Sequence, residues 1–187
     1  MYSGLKIALI GHIRCGKDTV ANIIMNKYGF RRFAIADNIK SISEELYPEL
    51  IGSGKNRPVQ QRVAAVLRKY DEDFWLRLLV KKIKNELSSE MNAVITDLRY
   101  PNEYTMFKEM GFIVLKINAP RETRLERMKV AGDIFREDDL NFTTESFIDE
   151  ISFDCELSND SSIKVLEENI IKLLPNVSSM SISRAAL

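Results

Sequence analysis

Short runs of apolar, β-branched residues alternate along the 187-residue chain with longer segments whose apolar residues recur every three or four positions. The first pattern is typical of strands buried on both faces, and the second is typical of amphipathic helices. Strands are predicted at residues 5–10, 32–36, 93–97, 112–117 and 154–157. Helices are predicted at residues 19–28, 37–46, 58–70, 71–83, 101–111, 120–130 and 163–174. Because strands and helices alternate, we expect an α/β fold in which helices cover both faces of a five-stranded parallel sheet.

Proline, glycine and polar residues mark the ends of several of these elements. Asp37 is predicted to cap the second helix, and Pro175 is predicted to stop the last one. Residues 48–58 are predicted to form a loop, whereas residues 131–144 are charged and show no clear periodicity. These features predict one domain over residues 1–175, followed by a flexible tail at residues 176–187.

A glycine-bounded loop, Gly-His-Ile-Arg-Cys-Gly-Lys at residues 11–17, follows the first strand and opens the first helix. This context identifies G-x-x-x-x-G-K as a phosphate-binding loop. Backbone N–H groups and the positive end of the helix surround an anion there, and the lysine reaches the outer phosphates. We therefore expect a bound nucleoside triphosphate, with contacts from Gly11, His12, Arg14, Gly16, Lys17, Asp18 and Thr19. Within this set Arg14 is expected to add a second cation, and His12 to serve loop geometry rather than acid–base chemistry.

Two carboxylates are candidates for holding Mg²⁺. Asp18 occupies the position where such loops usually carry a serine or threonine that ligates Mg²⁺. A carboxylate can bind the ion directly or through water, and the alternative is a helix cap. Asp97 ends the strand at residues 93–97 and is expected to accept hydrogen bonds from the metal's shell, although it too could be a cap. Arg99 follows two residues later, where it either reaches a second anion or is a solvated surface arginine.

Polar residues also follow the other predicted strands. In an open parallel sheet, ligands bind at the carboxyl ends of the strands. The residues expected at those ends are Gly11, Asp37, Asp97, Asn118 and Asn159. The residues at the strand ends and the phosphate loop therefore predict one functional edge of the sheet.

Composition narrows the class of protein. The chain has 27 Lys plus Arg and 27 Asp plus Glu, so its net charge is zero, which argues against a protein that coats nucleic acid. Its two cysteines, Cys15 and Cys155, are too few and too dispersed for a disulfide framework or a zinc site. No apolar run is long enough to span a membrane, and no signal peptide precedes the first strand. We expect a soluble, cytoplasmic protein that binds neither nucleic acid nor membrane.

Arginines recur where phosphoryl transfer would need positive charge, although a third to a half of them are expected to be surface residues. They are Arg68, Arg77, Arg99, Arg121, Arg124, Arg127 and Arg136. Trp75 lies within an apolar helical stripe. Core packing and stacking against a nucleotide base are equally open for this side chain.

Six motifs occur in an order that resembles the deoxynucleoside monophosphate kinases encoded by many bacteriophages. They are Gly-x-x-Arg-x-Gly-Lys-Asp-Thr (11–19), Ala-Asp-x-Ile-Lys (36–40), Arg-x-x-Asp-x-Asp-Phe-Trp-x-Arg (68–77), Ile-Thr-Asp-x-Arg-x-Pro-Asn-Glu (95–103), Thr-Glu (144–145) and Ser-Asn-Asp (158–160). The resemblance covers residues 5–174. The Gly-Lys-Asp and Asp-x-Arg pieces also resemble animal phosphomevalonate kinases, whereas Asp-Phe-Trp and Arg-x-Pro-Asn-Glu favour the nucleotide enzymes.

The resemblance implies a three-layer P-loop kinase fold that uses ATP and Mg²⁺ to phosphorylate a deoxynucleoside monophosphate, as a monomer or a homodimer in the host cytoplasm. It implies catalytic roles for Arg14, Lys17, Asp97, Arg99 and Arg127, with Asp18 and Asp97 at the metal. It implies acceptor contacts from Asp37, Lys40, Arg68, Trp75, Arg77 and Arg99. Arg124, Arg127 and Arg136 would belong to the helix and a lid around 131–144 that close over ATP, and Asn159 and Asp160 would lie near the adenine.

The sequence departs from this family pattern at three places. Asn141 or Phe142 stands where a histidine usually precedes the Thr-Glu pair. Residues 63–66 replace a Gly-Thr-Glu segment, and Ser161 replaces the glycine of Asn-Asp-Gly. The first two departures leave open which nucleotide base the acceptor carries.

Three other functions remain alternatives. Dephospho-coenzyme A kinase would need a general base for its hydroxyl acceptor, which Asp37 or Asp97 would have to supply. Phosphomevalonate kinase has a phosphate acceptor, as a monophosphate kinase does, but no pocket for a nucleotide base. A nucleotide-dependent switch or binding module is the alternative that is not an enzyme, although the chain lacks the Asn-Lys-x-Asp guanine reader of GTPases.

Overall fold

A computed structural model of the chain describes residues 2–51, 57–132 and 143–185. The chain divides into two compact units. One consists of residues 1–32 and 89–187 and is called the sheet unit here; the other consists of residues 33–88 and is called the helical unit. No helix in the described ranges combines the length and apolarity needed to cross a bilayer.

The sheet has five parallel strands in the order β2-β3-β1-β4-β5. The strands are β1 (Lys6–Ile10), β2 (Arg31–Phe33), β3 (Ala93–Ile95), β4 (Ile113–Asn118) and β5 (Cys155–Ser158). Central strand β1 pairs with β3 on one side and with β4 on the other, and four of its five residues have no exposed surface or almost none. Burial of both faces explains why these strands are continuous apolar runs, and it confirms the predicted α/β fold.

The helices, in chain order, are α1 (Lys17–Tyr28), α2 (Ile35–Leu46), α3 (Pro48–Ile51), α4 (Arg57–Tyr70), α5 (Phe74–Glu86), α6 (Pro101–Glu109), α7 (Arg121–Val130), α8 (Thr143–Glu150) and α9 (Ile163–Ala185). Helices α2 to α5 belong to the helical unit and the others to the sheet unit. Buried side chains of α1 and α9 share one core cluster with β1, β4 and β5. The predicted extent of the domain, residues 1–175, stays a prediction.

The second strand and the second helix differ from their predicted bounds. Strand β2 ends at Phe33, and α2 begins at Ile35 with Ala34 in the capping position. Asp37 therefore lies inside the first helical turn, and the prediction that it caps the helix is wrong. The helix begins earlier because Phe33, Ala34 and Ile35 are all buried, so packing rather than a capping side chain sets its start. The Asp37 carboxylate still lies at the positive end of the helix.

The sequence predicted that Pro175 stops the last helix, and this prediction is wrong. Helix α9 continues to Ala185, so residues 176–185 are helical rather than a frayed tail. Proline removes one backbone donor from a helix and commonly disrupts it. Here Val177 is completely buried in the sheet-unit core, and burial of this kind stabilises the turn beyond the proline. A second difference is α3, a short helix within residues predicted to be a loop.

A buried asparagine forms hydrogen bonds with the residues before β1 and with the end of α1. Asn92 is 7% exposed, and its Oδ1 accepts a hydrogen bond of 2.9 Å from the Leu5 N–H. Its Nδ2 donates to the carbonyl oxygens of Tyr2, at 3.0 Å, and Tyr28, at 3.4 Å. These contacts hold the entry to β1 against the end of α1, and no local sequence pattern predicts them.

Replacing Asn92 with alanine is expected to destabilise the protein by about 1–3 kcal/mol, because the backbone groups that it pairs are left unsatisfied where water is excluded. Urea unfolding followed by far-ultraviolet circular dichroism measures the change. The control is Asn26→Ala, which removes an exposed asparagine from α1 and is expected to change stability little. Equal effects of the two substitutions would contradict the assigned role of Asn92.

Candidate functional site

The loop between β1 and α1 has a backbone that requires glycine at both ends. Gly11 has φ 153° and Gly16 has φ 100°, and both values are in the region that glycine adopts without strain. A β-carbon at Gly11 would overlap the Ile117 carbonyl oxygen of β4 and lie 2.7 Å from the Cys15 sulfur. The two glycines of the predicted phosphate loop are therefore needed both for conformation and for close contact with β4.

Arg14 is the residue other than glycine that has a positive φ, 61°, in the described part of the chain. The loop turns beside it, where the Cys15 N–H donates to the His12 carbonyl oxygen at 3.2 Å. A left-handed conformation costs a residue with a β-carbon about 1–2 kcal/mol. Such a conformation persists where the surrounding contacts fix it, and it is often found at functional sites.

Lys17 opens α1, and its ammonium group folds back over the loop. It donates to the Gly11 carbonyl oxygen at 2.6 Å and to the His12 carbonyl oxygen at 3.1 Å. The helix begins there with Gly16 in the capping position and no side-chain cap, while Asp18 is exposed in the first turn. A positive helix end, a cation and a tight loop thus lie together at the carboxyl end of β1, and this combination binds anions.

Asp97 lies at the same edge of the sheet. Strands β1 and β3 pair in parallel as far as Ala8 and Ile95, and this register, if extended by two residues beyond the end of β3, would set Asp97 beside Ile10. Ile10 directly precedes Gly11, and neighbouring strands lie about 4.8 Å apart. The predicted convergence of Asp97 with the loop is therefore consistent with the register.

The backbone N–H of Arg99 donates a hydrogen bond to a buried carboxylate. Glu103, in the first turn of α6, is 3% exposed, and its Oε2 accepts hydrogen bonds from the backbone N–H groups of Arg99 at 2.8 Å and Tyr100 at 3.1 Å. The backbone that carries Arg99 is thus fixed two residues after Asp97. Sequence reasoning included Glu103 in a motif but gave it no role.

Two side chains from other elements donate hydrogen bonds to backbone carbonyl oxygens of the loop. Arg127 of α7 donates to the carbonyl oxygens of Arg14, at 3.3 Å, and Cys15, at 3.4 Å. Asn159, which follows β5 and is 6% exposed, donates from Nδ2 to the Cys15 carbonyl oxygen at 2.8 Å. A β-carbon on Gly16 would overlap this amide. Arg127 and Asn159 were predicted to contact ATP, and their contacts with the loop were not predicted.

A third contact joins the loop to α8. His12 Nε2 lies 3.0 Å from Asp149 Oδ1, and Lys116 Nζ lies 3.9 Å from the same oxygen. Asp149 is exposed, so the solvent weakens this interaction. No spacing in the sequence connects these residues, which explains why Asp149 was not among the candidates.

For the other residues predicted to contact ATP, the described part of the structure gives no contact with the loop. Arg124 of α7 has a buried Nε that lacks a hydrogen-bond partner among the described residues. Asp160 is exposed next to Asn159. Arg136 and most of the predicted lid, along with Asn141 and Phe142, lie outside the described residues.

The helical unit carries the remaining predicted substrate residues. Trp75 is 1% exposed, contacts Phe74 edge to face and donates from Nε1 to the Ala64 carbonyl oxygen at 3.1 Å, which places it in the core of this unit. Arg77 forms an ion pair with Asp71. Lys40 lies 3.7 Å from Glu44 on the surface of α2, and Asp37 and Arg68 are partly exposed.

The residues at the loop fit a phosphate group with an associated Mg²⁺. The donors are backbone N–H groups and a lysine, which suit phosphate oxygens. Among the described residues no three His, Cys, Asp or Glu side chains group as a metal site. One or two carboxylates together with substrate phosphates are the usual way in which proteins hold Mg²⁺, and Asp18 and Asp97 are suited to that arrangement.

The chain is similar to known proteins in sequence and in fold. A family model described as an AAA domain (AAA_18) matches residues 7–151. The chain is 26% identical over 174 residues to the uncharacterized protein ORF77 of Ictalurid herpesvirus 1 (strain Auburn), an alignment that spans 92% of this chain and 71% of that protein.

Two solved structures share the fold. TT1252 from Thermus thermophilus has a TM-score of 0.58 at 20% identity, with 92% of this chain and 96% of that chain covered. An unliganded sugar kinase from Janibacter sp. HTCC2649 has a TM-score of 0.60 at 16% identity, with coverages of 94% and 97%. The chain therefore has a P-loop kinase-like α/β fold.

The positive φ of Arg14 gives a prediction about stability. Arg14→Gly is expected to be about 1 kcal/mol more stable than Arg14→Ala, because only alanine retains the strain of a β-carbon at φ 61°. The matched control is the same pair at Asn22, an exposed position within α1, where alanine should be more stable than glycine. Denaturant unfolding of the four variants tests the prediction, which is wrong if alanine is the more stable residue at both positions.

Proposed function

The chain belongs to the AAA_18 family, and we propose that it transfers the γ-phosphoryl group of ATP to the 5′-phosphate of a deoxynucleoside monophosphate, giving the diphosphate. The family and the P-loop kinase-like fold support nucleotide-dependent phosphoryl transfer in general. The choice of acceptor is supported by the sequence motifs, chiefly Asp-Phe-Trp at 73–75 and Arg-x-Pro-Asn-Glu at 99–103.

The observation that carries the proposal is the conformation of the loop between β1 and α1. Its glycines, the positive end of α1 and the Lys17 ammonium group lie together at the edge of the sheet. When a triphosphate binds, its outer phosphate oxygens would replace loop carbonyl oxygens as acceptors for Lys17. Arg14 and Arg124 would add positive charge, and Arg136 would do so by resemblance to the kinases.

Asp18 and Asp97 would hold Mg²⁺, directly or through water. The bound ion would screen the negative charge of the phosphates and orient them for in-line transfer. The role of Asp97 is supported by its position two residues after β3, which pairs with β1, the strand that leads into the loop.

Arg99 would contact the acceptor phosphate, on a backbone fixed by Glu103. By resemblance alone, Asp37, Lys40, Arg68 and Arg77 of the helical unit are also assigned to the acceptor. On the ATP side, the resemblance assigns Arg127 to the phosphates and Asn159 and Asp160 to the adenine.

No general base is required for this reaction. The acceptor phosphate is already largely dianionic near neutral pH, because its second pKa is about 6. The protein then has to hold two polyanions in line, neutralise their charge and exclude water. A site built from lysine, arginines and backbone donors supplies these functions.

A kinase with a hydroxyl acceptor is the second candidate, since one of the structurally similar proteins is a sugar kinase. A coupled assay of ADP release distinguishes the acceptors. The panel contains the deoxynucleoside and ribonucleoside monophosphates, mevalonate 5-phosphate, dephospho-coenzyme A and a hexose. The proposal expects turnover with one or more deoxynucleoside monophosphates, and turnover only with another acceptor would overturn it. Nucleotide binding without turnover on any acceptor would favour a switch or binding module.

Lys17→Ala is expected to reduce phosphoryl transfer by at least about a hundredfold, because it removes the cation that reaches the transferred phosphate. Initial rates at saturating ATP and acceptor measure this loss. Lys172→Ala removes an exposed lysine from α9 and should retain the wild-type rate. Robust turnover by Lys17→Ala would refute the assigned site.

Arg99→Ala is expected to raise the KM for the monophosphate about 10- to 100-fold with little change in the KM for ATP, because a charged hydrogen bond to the acceptor is lost. Steady-state kinetics with each substrate varied in turn separate the two effects. Arg62→Ala, at an exposed position on α4, is the control. Unchanged kinetics for the monophosphate would exclude Arg99 from acceptor binding.

A further inference from the structure

Arg127 and Asn159 contact the phosphate loop on its carbonyl side. Arg127 uses two nitrogens: Nη1 donates to the Arg14 and Cys15 carbonyl oxygens, and Nη2 donates to the Asn159 carbonyl oxygen at 2.9 Å. Three backbone carbonyls, two of them from the loop, therefore converge on one guanidinium group. A forked donor of this kind holds several acceptors in a fixed relation, which a lysine does not.

Asn159 is itself held in one orientation. Its backbone N–H donates to the Asn118 carbonyl oxygen of β4 at 2.7 Å, and its Oδ1 accepts from Arg127 Nη2 at 3.4 Å. With Oδ1 facing the guanidinium, Nδ2 is directed at the Cys15 carbonyl oxygen. The neighbours of the amide thus settle which of its two ends donates to the loop.

Fixing a carbonyl also fixes the N–H of the same peptide. In a trans peptide the C=O and the following N–H point in opposite directions. Donors on the Cys15 carbonyl therefore direct the Gly16 N–H away from Arg127 and Asn159, towards the inner side of the loop. The Arg14 carbonyl oxygen also accepts from Arg127, but the N–H of that peptide, on Cys15, donates to the His12 carbonyl oxygen at 3.2 Å. Arg127 therefore supports the turn at Arg14, and the argument for a phosphate donor applies to the Gly16 N–H.

We propose that Arg127 and Asn159 are positioning residues that act on ATP through the loop backbone: by holding the Arg14 and Cys15 carbonyls they fix the turn of the loop and present the Gly16 N–H to phosphate. The inference rests on the proposed function to the extent that the loop binds the phosphates of ATP. It differs from a direct contact of either side chain with the nucleotide, which is what the family resemblance implies. A prearranged set of donors binds an anion more tightly, because less ordering is needed on binding.

The test uses the full chain and sodium tripolyphosphate as a probe, since this anion carries the phosphates without the base. Asn159→Asp keeps the size of the side chain but cannot donate to the Cys15 carbonyl. Isothermal titration calorimetry is expected to show tripolyphosphate and ATP binding weakened at least about tenfold in Asn159→Asp and in Arg127→Ala. In turnover, the KM for ATP should rise by a similar factor while the KM for the acceptor at saturating ATP stays within about twofold. Asn159→Ala provides a second, uncharged substitution, and far-ultraviolet circular dichroism confirms that each variant is folded.

A double-mutant cycle separates positioning from direct contact. Arg127 and Asn159 share the Cys15 carbonyl as acceptor, so the loss in Arg127→Ala/Asn159→Ala should be smaller than the product of the two single losses. Arg127→Lys keeps the positive charge but has one nitrogen in place of the two that bind the carbonyls. It should regain less than half of the binding free energy that Arg127→Ala loses. Independent effects that multiply, or full recovery with lysine, would identify Arg127 as a phosphate ligand and overturn the inference.

Controls distinguish failure of this inference from failure of the proposed function. Lys129→Ala on α7 and Glu156→Gln on β5 change exposed residues nearby and should bind tripolyphosphate as the wild type does. Wild-type binding by Asn159→Asp and Arg127→Ala would overturn the positioning role. A wild-type protein that binds tripolyphosphate but phosphorylates no acceptor would overturn the kinase proposal alone, and one that fails to bind it would overturn both.

Discussion

The candidate site depends on one constraint: the Cys15 carbonyl group is held by Arg127 and Asn159, and the N–H of the same peptide, on Gly16, must then point the other way. Residues from distant elements meet this requirement. Ile117 of β4 lies against Gly11, where any β-carbon would clash, and the Asn159 amide occupies the corresponding space at Gly16. Because β1 lies between β3 and β4, the sheet fixes the loop at its base. The buried sheet is thus the support for a binding site made largely of backbone.

The same constraint explains how a chain with no net charge would bind a polyanion, as we propose. Backbone N–H groups and a helix end attract anions without adding formal charge. Lys17 contributes one full charge at the loop, and its ammonium group pairs with the Gly11 carbonyl oxygen at 2.6 Å. Each hydrogen bond from a charged donor contributes about 1.5–3 kcal/mol. A phosphate that replaces this carbonyl as acceptor therefore exchanges one strong hydrogen bond for a stronger ion pair, so the net gain comes from the difference between them.

Local pattern decides which parts of this molecule can be predicted from sequence. The strands, the alternation with helices and the loop at residues 11–17 follow from apolar runs and glycine spacing, and the structure confirms the resulting α/β fold. The start of α2 and the continuation of α9 beyond Pro175 depend instead on the burial of Ile35 and Val177. The contact of Asn159 with Cys15 spans 144 residues, so no local rule could identify it. Sequence reasoning selected Asn159 as a site residue from a motif, and the structure supplies the contacts.

The phosphoryl donor and the phosphoryl acceptor are recognised by different kinds of protein group in such a fold. The donor phosphates are bound mainly by backbone, whose geometry the spacing of two glycines and a lysine encodes, so the loop can be recognised in distant relatives. An acceptor is recognised by side chains, and these can change while the fold persists. Under the proposed function, acceptor choice would depend on a few side chains such as Arg99, whose backbone N–H donates to Glu103. Substitutions at such residues would then alter the acceptor without removing the contacts that Arg127 and Asn159 make with the loop.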